Sequence, residues 1–193
     1  MDETRRLVER ILNGNKRAFE QLVRQHERLV GQMVARMVPN PKDHEDLCQD
    51  VFMRVYENLS GFRFNAKLST WIAQIAYNRC INYLQKKHVP VFGDRDLDMS
   101  GEPGEDQYSD SQPGPGDVVE ERDLSERVRA EIGHLPPAQR TVITLYHLQD
   151  MSYEEIGDIM KLPSGTVKSH LFRARRKLKE LLMARYELEE IWS

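Results

Sequence analysis

The segment from Lys168 to Lys179 carries six lysines and arginines in a chain whose formal net charge is −3. If this segment is a helix, one face is polar and the opposite face is apolar. The polar face carries Lys168, Ser169, Phe172, Arg173 and Arg176, and the apolar face carries Val167, Leu171, Ala174 and Leu178. Lysine and arginine bond guanine edges or phosphates, serine bonds either, and a phenylalanine ring contacts a thymine methyl. The pattern therefore predicts a helix that enters the major groove of DNA.

The ordinary alternative for a basic helix is a face exposed to solvent. The preceding elements favour DNA recognition instead. Ser152 followed by Glu155 is a capping box, which predicts the start of a helix that ends near Lys161. A short turn through residues 162–163 then leads into the basic helix at Ser164. Two helices joined by so short a turn form a helix-turn-helix.

A second set of residues suited to nucleic acid lies in SGFRFNAKLS (residues 60–69) and TWIAQIAYNRCINYLQKK (residues 70–87). These segments combine aromatic rings, amides and cations. Rings stack on unpaired bases and cations follow the phosphate backbone, so the mixture suits single-stranded DNA. Trp71 and Ile75 are expected in the core instead.

Three polar side chains share one face of a helix predicted from Pro41 to Leu59, because they are three and four residues apart. They are Asp46, Gln49 and Asp50. Without a partner they would form an ordinary solvated face. His44 lies beside them, but no second histidine or cysteine stands at metal-ligand spacing.

Cysteine usage and motif content exclude several classes of protein. Cys48 and Cys80 lie far apart and outside any CxxC motif, so both are expected to be reduced thiols. No phosphate-binding glycine loop, nucleophile elbow or metal-ligand cluster occurs, which argues against an enzyme. We expect no metal and no cofactor. The apolar runs are too short for a membrane span and the N-terminus has no signal-peptide pattern, so the protein is expected in the cytoplasm.

The charge balance divides the 193 residues into three parts. Residues 1–88 hold 15 basic and 10 acidic side chains, residues 89–131 hold 4 and 13, and residues 132–193 hold 9 and 8. Residues 89–117 are rich in glycine, proline and acids without a sustained period, which predicts an extended acidic linker. A tether without a role of its own is the alternative. We predict an all-α fold of two small helical domains, residues 1–88 and 118–193, joined by this linker.

Helical periodicity places the elements of the first domain. One apolar stripe comprises Phe19, Leu22, Val23, His26, Val30, Met33, Val34 and Met37. The sequence NGN at residues 13–15 separates it from a shorter helix. A third helix is predicted after Asn40 as cap and Pro41 in the first turn, and a fourth from Ser69.

Two blocks together resemble the small two-domain sigma factors of the extracytoplasmic-function (ECF) group. DHEDLCQDVFMRVYENLSGFRFNAKLSTWIAQIAYNRCINYL (residues 43–84) is similar to their second region, and LPPAQRTVITLYHLQDMSYEEIGDIMKLPSGTVKSHLFRARRKLKELL (residues 135–182) to their fourth. The resemblance extends from Arg10 to about Leu182. It implies a non-catalytic protein that binds core RNA polymerase, directs it to a promoter and helps to open the duplex.

The resemblance also implies partners. Asp46, Gln49 and Asp50 would dock on the clamp helices of the largest polymerase subunit, and the second domain would contact the flap of the second-largest subunit. Promoter DNA is the other partner, and an anti-sigma factor that holds both domains is expected by analogy. A free-standing helix-turn-helix regulator remains the alternative.

For the unwound −10 element, the resemblance implies that one base turns out of the stack into a pocket of the loop, which makes base selection possible. The residues around that base would be Phe64, Asn65, Lys67, Ser69 and Thr70, and those along the following helix Asn78, Arg79, Asn82 and Lys86. Many relatives carry an acidic residue and then arginine where this chain has Asn82 and Gln85. The preferred −10 sequence is therefore left open.

For the duplex −35 element, the resemblance assigns base contacts to Lys168, Ser169, Phe172 and Arg173 and phosphate contacts to Arg176 and Lys177. The amides near Ser164 and Thr166 would hold a phosphate at the positive end of the helix dipole. The two elements lie about 70 Å apart. A 29-residue linker reaches about 100 Å when extended but averages about 30 Å as a coil. The linker must therefore be stretched, which the resemblance attributes to a positively lined polymerase channel.

Overall fold

The computed structural model describes residues 2–88, 127–128 and 130–185, and secondary structure within these residues is helical throughout. The predicted all-α class is confirmed. The predicted linker, residues 89–117, lies outside the described residues, as do residues 118–126 and 186–193.

The first unit contains four α-helices and two short 3-10 turns. The α-helices are α1 (Asp2–Leu12), α2 (Lys16–Met37), α3 (His44–Asn58) and α4 (Leu68–Lys86), and the 3-10 turns are Pro41–Asp43 and Leu59–Gly61. Gly14, with φ of 81°, lets the chain reverse between α1 and α2, and the Asn15 side chain caps α2 by accepting from the Ala18 amide at 3.1 Å. Helix α2 packs against α1, α3 and α4 and forms the centre of the unit.

Burial follows the predicted helical period. Within α2, Leu22, Val30, Met33, Val34 and Met37 are buried as expected. Phe19, Val23 and His26 are only half-buried, because they lie at the edge of the stripe facing α1, α3 and the loop before α4. Trp71 and Ile75 also pack against the core from its edge and are half-buried.

The predicted start of the third helix is a 3-10 turn. The Asn40 side chain accepts from the Lys42 amide at 3.3 Å, and Pro41 occupies the first position, as expected. The α-helical part begins three residues later, at His44. Tyr83 of α4 donates a hydrogen bond to Asp43 at 2.6 Å and so fixes this turn against the first unit.

The second unit contains α5 (Pro137–Leu148), α6 (Tyr153–Met160) and α7 (Ser164–Arg185). Its core is made by Val142, Leu145, Ile156, Ile159 and Leu171, all at most 2% exposed. Helix α7 packs against both α5 and α6. Its last residue, Arg185, forms an ion pair at 2.5 Å with Glu131, which is buried near the start of the unit.

The two units contact each other along two pairs of helices. Helix α2 packs on α5, and α4 packs on α6. The helix-turn-helix is therefore held against the helix that sequence analysis assigns to single-stranded DNA.

Candidate nucleic-acid interface

The capping box predicted from the sequence opens α6. The Glu155 amide donates to Ser152 Oγ at 3.2 Å, and the Ser152 amide donates to Glu155 Oε2 at 2.9 Å. The helix ends at Met160, and the left-handed φ of 57° at the following residue, Lys161, reverses the chain. The turn then passes so close to Gly157 that a Cβ there would lie 2.7 Å from the Leu162 carbonyl oxygen. Glycine at position 157 is therefore what permits this tight turn.

Helix α7 divides into the two faces expected from its sequence. Val167, Leu171 and Ala174 are buried, and Leu178 is half-buried against the core. Lys168, Phe172 and Arg176 are exposed, with Phe172 36% exposed despite its apolar ring. Ser169 and Arg173 are half-buried at the edges of that exposed face. His170, which sequence analysis left unassigned, is buried.

The cations of α7 differ in their contacts: Arg175 packs within the second unit, whereas Arg176 and Lys177 lie at the surface. Arg175 lies over the Tyr146 ring at 5.3 Å and donates to His147 Nε2 of α5 at 3.3 Å, so it fastens α7 to its own unit. Arg176 and Lys177 share Glu180 at 3.2 and 3.8 Å, at the surface. These last two keep the outward position expected of phosphate ligands.

The first turn of α7 presents polar groups at the surface. Ser164 is exposed and Thr166 half-buried. Ser169 Oγ donates back to the Gly165 carbonyl oxygen at 3.1 Å, which orients this side chain along the helix. The Lys168 ammonium group lies 5.4 Å from the centre of the Tyr153 ring, so a cation–π contact holds this side chain beside α6.

The loop before α4 forms an aromatic cluster beside a cavity. The Phe62 ring lies 4.7 Å from that of Phe64 and 5.3 Å from that of Trp71. Phe64 has a left-handed φ of 59°, rare for a residue with a Cβ, and the Arg5 guanidinium lies 5.1 Å above its ring. The cavity has a volume of about 460 Å³. Of the predicted base-pocket residues, Phe64, Lys67 and Ser69 line it, whereas Asn65 and Thr70 line a second cavity of about 300 Å³ on the side of α6.

Helices α1 and α2 supply a wall of the larger cavity that sequence analysis missed. The side chains on this wall include Thr4, Gln21, Gln25 and His26. His26 Nδ1 donates to the Leu22 carbonyl oxygen at 2.9 Å, because a carbonyl can only accept, and this fixes the ring against its helix. The sequence offered one signal, a histidine inside an otherwise apolar stripe.

The predicted DNA positions on α4 divide into two groups. Asn78, Asn82 and Lys86 are four residues apart and lie along one line, with Asn82 and Lys86 exposed. Arg79 instead turns towards α3, where it forms an ion pair with Asp50. The structure therefore joins a residue assigned to DNA with one assigned to polymerase.

Two predicted base-pocket residues contact the helix-turn-helix. Lys67 Nζ lies 2.9 Å from Glu155 Oε1, and Thr70 Oγ1 donates to the same oxygen at 3.4 Å. Thr70 is only 3% exposed. The Ser152 amide first, and then Lys67 and Thr70, hold the pKa of Glu155 below its ordinary value, so this carboxylate stays charged.

Comparison with known proteins identifies the family. The sigma-70 region 2 model matches residues 22–88, and the sigma-70 region 4 model matches residues 125–178. The ECF RNA polymerase sigma factor SigW of Bacillus subtilis is 33% identical over 178 residues, which cover 91% of this chain and 94% of SigW. The ECF RNA polymerase sigma-E factor of Escherichia coli is 36% identical over 174 residues, 89% of this chain and 90% of that protein. The chain belongs to the ECF sigma factors.

A solved structure shares the fold of this sigma factor. The sigma factor RpoE of Bartonella quintana, in complex with the anti-sigma factor NepR, matches with a TM-score of 0.62 at 24% identity. The match covers 87% of this chain and 98% of that one. The predicted family and its function are confirmed: this sigma factor directs RNA polymerase to promoters, and a free-standing regulator is not favoured.

The face of α3 that carries Asp46 and Gln49 lies beside an apolar groove. Asp46 and Gln49 are exposed on α3, whereas Asp50 is half-buried in its ion pair with Arg79. A groove of about 780 Å³ runs from Gln49 along α3 towards α2. Met53 and Tyr56 border it and are 62% and 53% exposed, which is high for such large apolar side chains. The polar residues of α3, taken alone, do not predict this groove.

His44 and the two cysteines belong to the packing of the first unit. His44 Nε2 donates to the Val38 carbonyl oxygen at 2.8 Å, and no group of three metal-ligating side chains occurs among the described residues. Cys48 and Cys80 are free thiols, and burial raises the pKa of Cys80 to about 12. In the part of the chain that the structure describes, the helices are too short or too polar to cross a membrane.

Proposed function

We propose that the two helical units of this sigma factor bind separate parts of a promoter, with α7 in the major groove of the −35 element. The observation that carries the proposal is the division of α7 into a buried apolar face and an outward face of cations, a hydroxyl and an exposed ring. Lys168, Ser169, Phe172 and Arg173 contact bases. Arg176, Lys177 and the amides near Ser164 and Thr166 contact phosphates.

The first unit takes the unwound −10 strand. One extruded base enters the cavity beside Phe64, where a ring can stack on it and the Ser69 hydroxyl can bond its edge. Asn78, Asn82 and Lys86 then follow the strand along α4. The remaining residues of the proposed −10 site are Asn65, Lys67, Thr70 and Arg79. Of these, Lys67, Thr70 and Arg79 are paired within the protein before DNA binds.

Core polymerase binds the face of α3 that carries Asp46 and Gln49. The neighbouring groove, bordered by Met53 and Tyr56, accepts the apolar side of a partner helix, and the acids meet basic side chains of the clamp helices. Asp50 contributes by holding Arg79 and thereby the spacing of α3 and α4. The second unit contacts the flap of the second-largest subunit.

The two domains of this sigma factor are residues 1–88 and 118–193, and residues 89–117 form the acidic linker between them. The protein acts in the cytoplasm, where polymerase and chromosome are, and has no catalytic activity of its own. An anti-sigma factor is a further partner, in keeping with the NepR complex of the B. quintana protein.

Run-off transcription tests the proposal. Core polymerase from the same organism is given a promoter library randomised in the −35 and −10 windows, with and without this chain, and the transcripts are sequenced. The chain should select a sequence in each window. Arg173→Ala should alter the selection only in the −35 window, and Asn82→Ala only in the −10 window. Identical transcripts with and without the chain would overturn the proposed function, and effects in the opposite windows would overturn the residue assignments.

A further inference from the structure

One carboxylate serves both the helix-turn-helix and the −10 surface. Glu155 Oε2 accepts from the Ser152 amide at the start of α6, while Oε1 lies 2.9 Å from Lys67 Nζ and 3.4 Å from Thr70 Oγ1. Lys67 and Thr70 both belong to the proposed −10 site. Glu155 therefore occupies, from inside the protein, groups that the DNA strand would use.

The contact continues along α4. Gln74, one turn after Thr70, donates from Nε2 to the Asp158 carbonyl oxygen of α6 at 2.8 Å. Ile159 of α6 is fully buried and lines the cavity of about 300 Å³ that it shares with Asn65. Helix α6 thus covers the side of the loop and of α4 on which Thr70 lies, which explains why Thr70 is only 3% exposed.

A carboxylate oxygen on a lysine and a hydroxyl imitates a phosphate or base oxygen in the same position. A strand that needs these two groups must displace Glu155. DNA binding therefore competes with the packing of α2 on α5 and of α4 on α6, which we call the closed arrangement. We propose that the closed arrangement is autoinhibited, with Glu155 of α6 acting as an internal competitor for the −10 strand at Lys67 and Thr70. This inference rests on the proposed −10 site.

The closed interface also contains features that allow it to open. Lys67 is 73% exposed, so water weakens its attraction to Glu155. On the α2–α5 side, Arg36 and Arg140 bring like charges together, and burial together with Arg36 lowers the pKa of Arg140. Arg140 Nε is buried with no hydrogen-bond partner among the described residues. An unsatisfied buried donor weakens this side of the interface.

A reversible cross-link tests whether closure blocks DNA. Gln149 Nε2 donates to Gln32 Oε1 at 2.6 Å, and neither residue belongs to a proposed DNA or polymerase site. Gln32→Cys and Gln149→Cys are combined with Cys48→Ser and joined by a short thiol-specific cross-linker that contains a cleavable disulfide. Cys80 is fully buried and does not compete for the reagent. The probe is a fluorescein-labelled single strand of mixed sequence, about 12 nucleotides long.

The cross-linked protein should bind the strand about tenfold more weakly or worse, because the competent state is no longer populated. Cleaving the linker should restore binding, and each single cysteine variant treated with the reagent should bind like the untreated protein. Equal affinity before and after cleavage would overturn the proposal.

A charge variant gives an independent measurement. Glu155→Gln keeps the capping box, which accepts glutamine at this position, but removes the charge facing Lys67. It should raise affinity for the strand several-fold, whereas Glu154→Gln, the same change at an exposed neighbour, should raise it less. Equal effects of the two variants would mean a general charge effect and would refute the competitor role.

Run-off transcription separates this inference from the proposed function. If the uncross-linked protein neither binds the strand nor directs core polymerase, the proposed −10 site fails and the inference fails with it. If it does both, and the cross-linked protein does both equally well, only the autoinhibition is refuted.

Discussion

Asp50 of α3 and Arg79 of α4 form an ion pair between two helices of the first unit, with each side chain 31% exposed. Removing one partner leaves a half-buried charge without its counter-ion. Asp50→Asn should therefore lower the free energy of unfolding by about 1 kcal/mol, measured by urea denaturation followed by circular dichroism.

Asp46→Asn is the matched control for this pair, since Asp46 is exposed one turn earlier on the same helix. It should leave stability unchanged and weaken binding to core polymerase. If Asp50→Asn also weakened polymerase binding without loss of stability, Asp50 would belong to the polymerase contact rather than to the spacing of the helices.

We expect a substitution at Gly157 to destabilise the turn of the helix-turn-helix. Alanine normally stabilises a helix relative to glycine. Here a Cβ would lie 2.7 Å from a backbone oxygen, so the clash should dominate and Gly157→Ala should cost about 1–3 kcal/mol in the thermal unfolding of the second unit.

Gly165→Ala provides the comparison within the same motif, because nothing lies within 4 Å of its Cβ position. That variant should be neutral or more stable. Similar melting temperatures for the two variants would show that the close approach at Gly157 relaxes easily.

The cations of α7 should affect promoter binding in three different ways. Arg173→Ala in holoenzyme should cost about 1–3 kcal/mol at its preferred −35 sequence and little elsewhere. Lys177→Ala should weaken binding uniformly and reduce the slope of affinity against salt by about 1. Arg175→Ala should lower the melting temperature with little change in specificity, since Arg175 packs on Tyr146 and His147. Electrophoretic mobility assays with substituted promoters measure the first two effects and thermal unfolding measures the third. A uniform loss for Arg173→Ala would reassign it to the DNA backbone.

The Tyr83 hydroxyl should control the titration of Asp43. Its hydrogen bond is the main cause that holds the pKa of Asp43 below the ordinary value of 3.8. The stabilisation is thus present above that ordinary value and is lost as the pH falls through the lowered pKa. Tyr83→Phe should raise the pKa of Asp43, measured by NMR of its side-chain carbon. Tyr56→Phe should leave it unchanged, and a Tyr83→Phe variant with the same titration would show that Asn40 dominates instead.

Local rules accounted for most of the fold. The capping box at Ser152 and the apolar face of α7 depend on residues within a few positions of one another, so the sequence alone was sufficient to predict them. The pairs Asp50–Arg79 and Thr70–Glu155 join residues 29 and 85 positions apart. Each residue of these pairs has a reasonable role at the surface, and no residue close to it in the sequence excludes that role. Only packing of α3 on α4 and of α4 on α6 decides between solvent, DNA and an internal partner.

Helix α7 is a single rod of 22 residues, about 33 Å long. Its first turn follows the tight bend at Gly157, and its last residue is fastened to buried Glu131. A rod restrained at both extremities transmits displacement along its length with little bending. A protein that binds the last turns near Arg185 would therefore shift the first turns around Lys168, which we propose to bind the −35 element, without touching them.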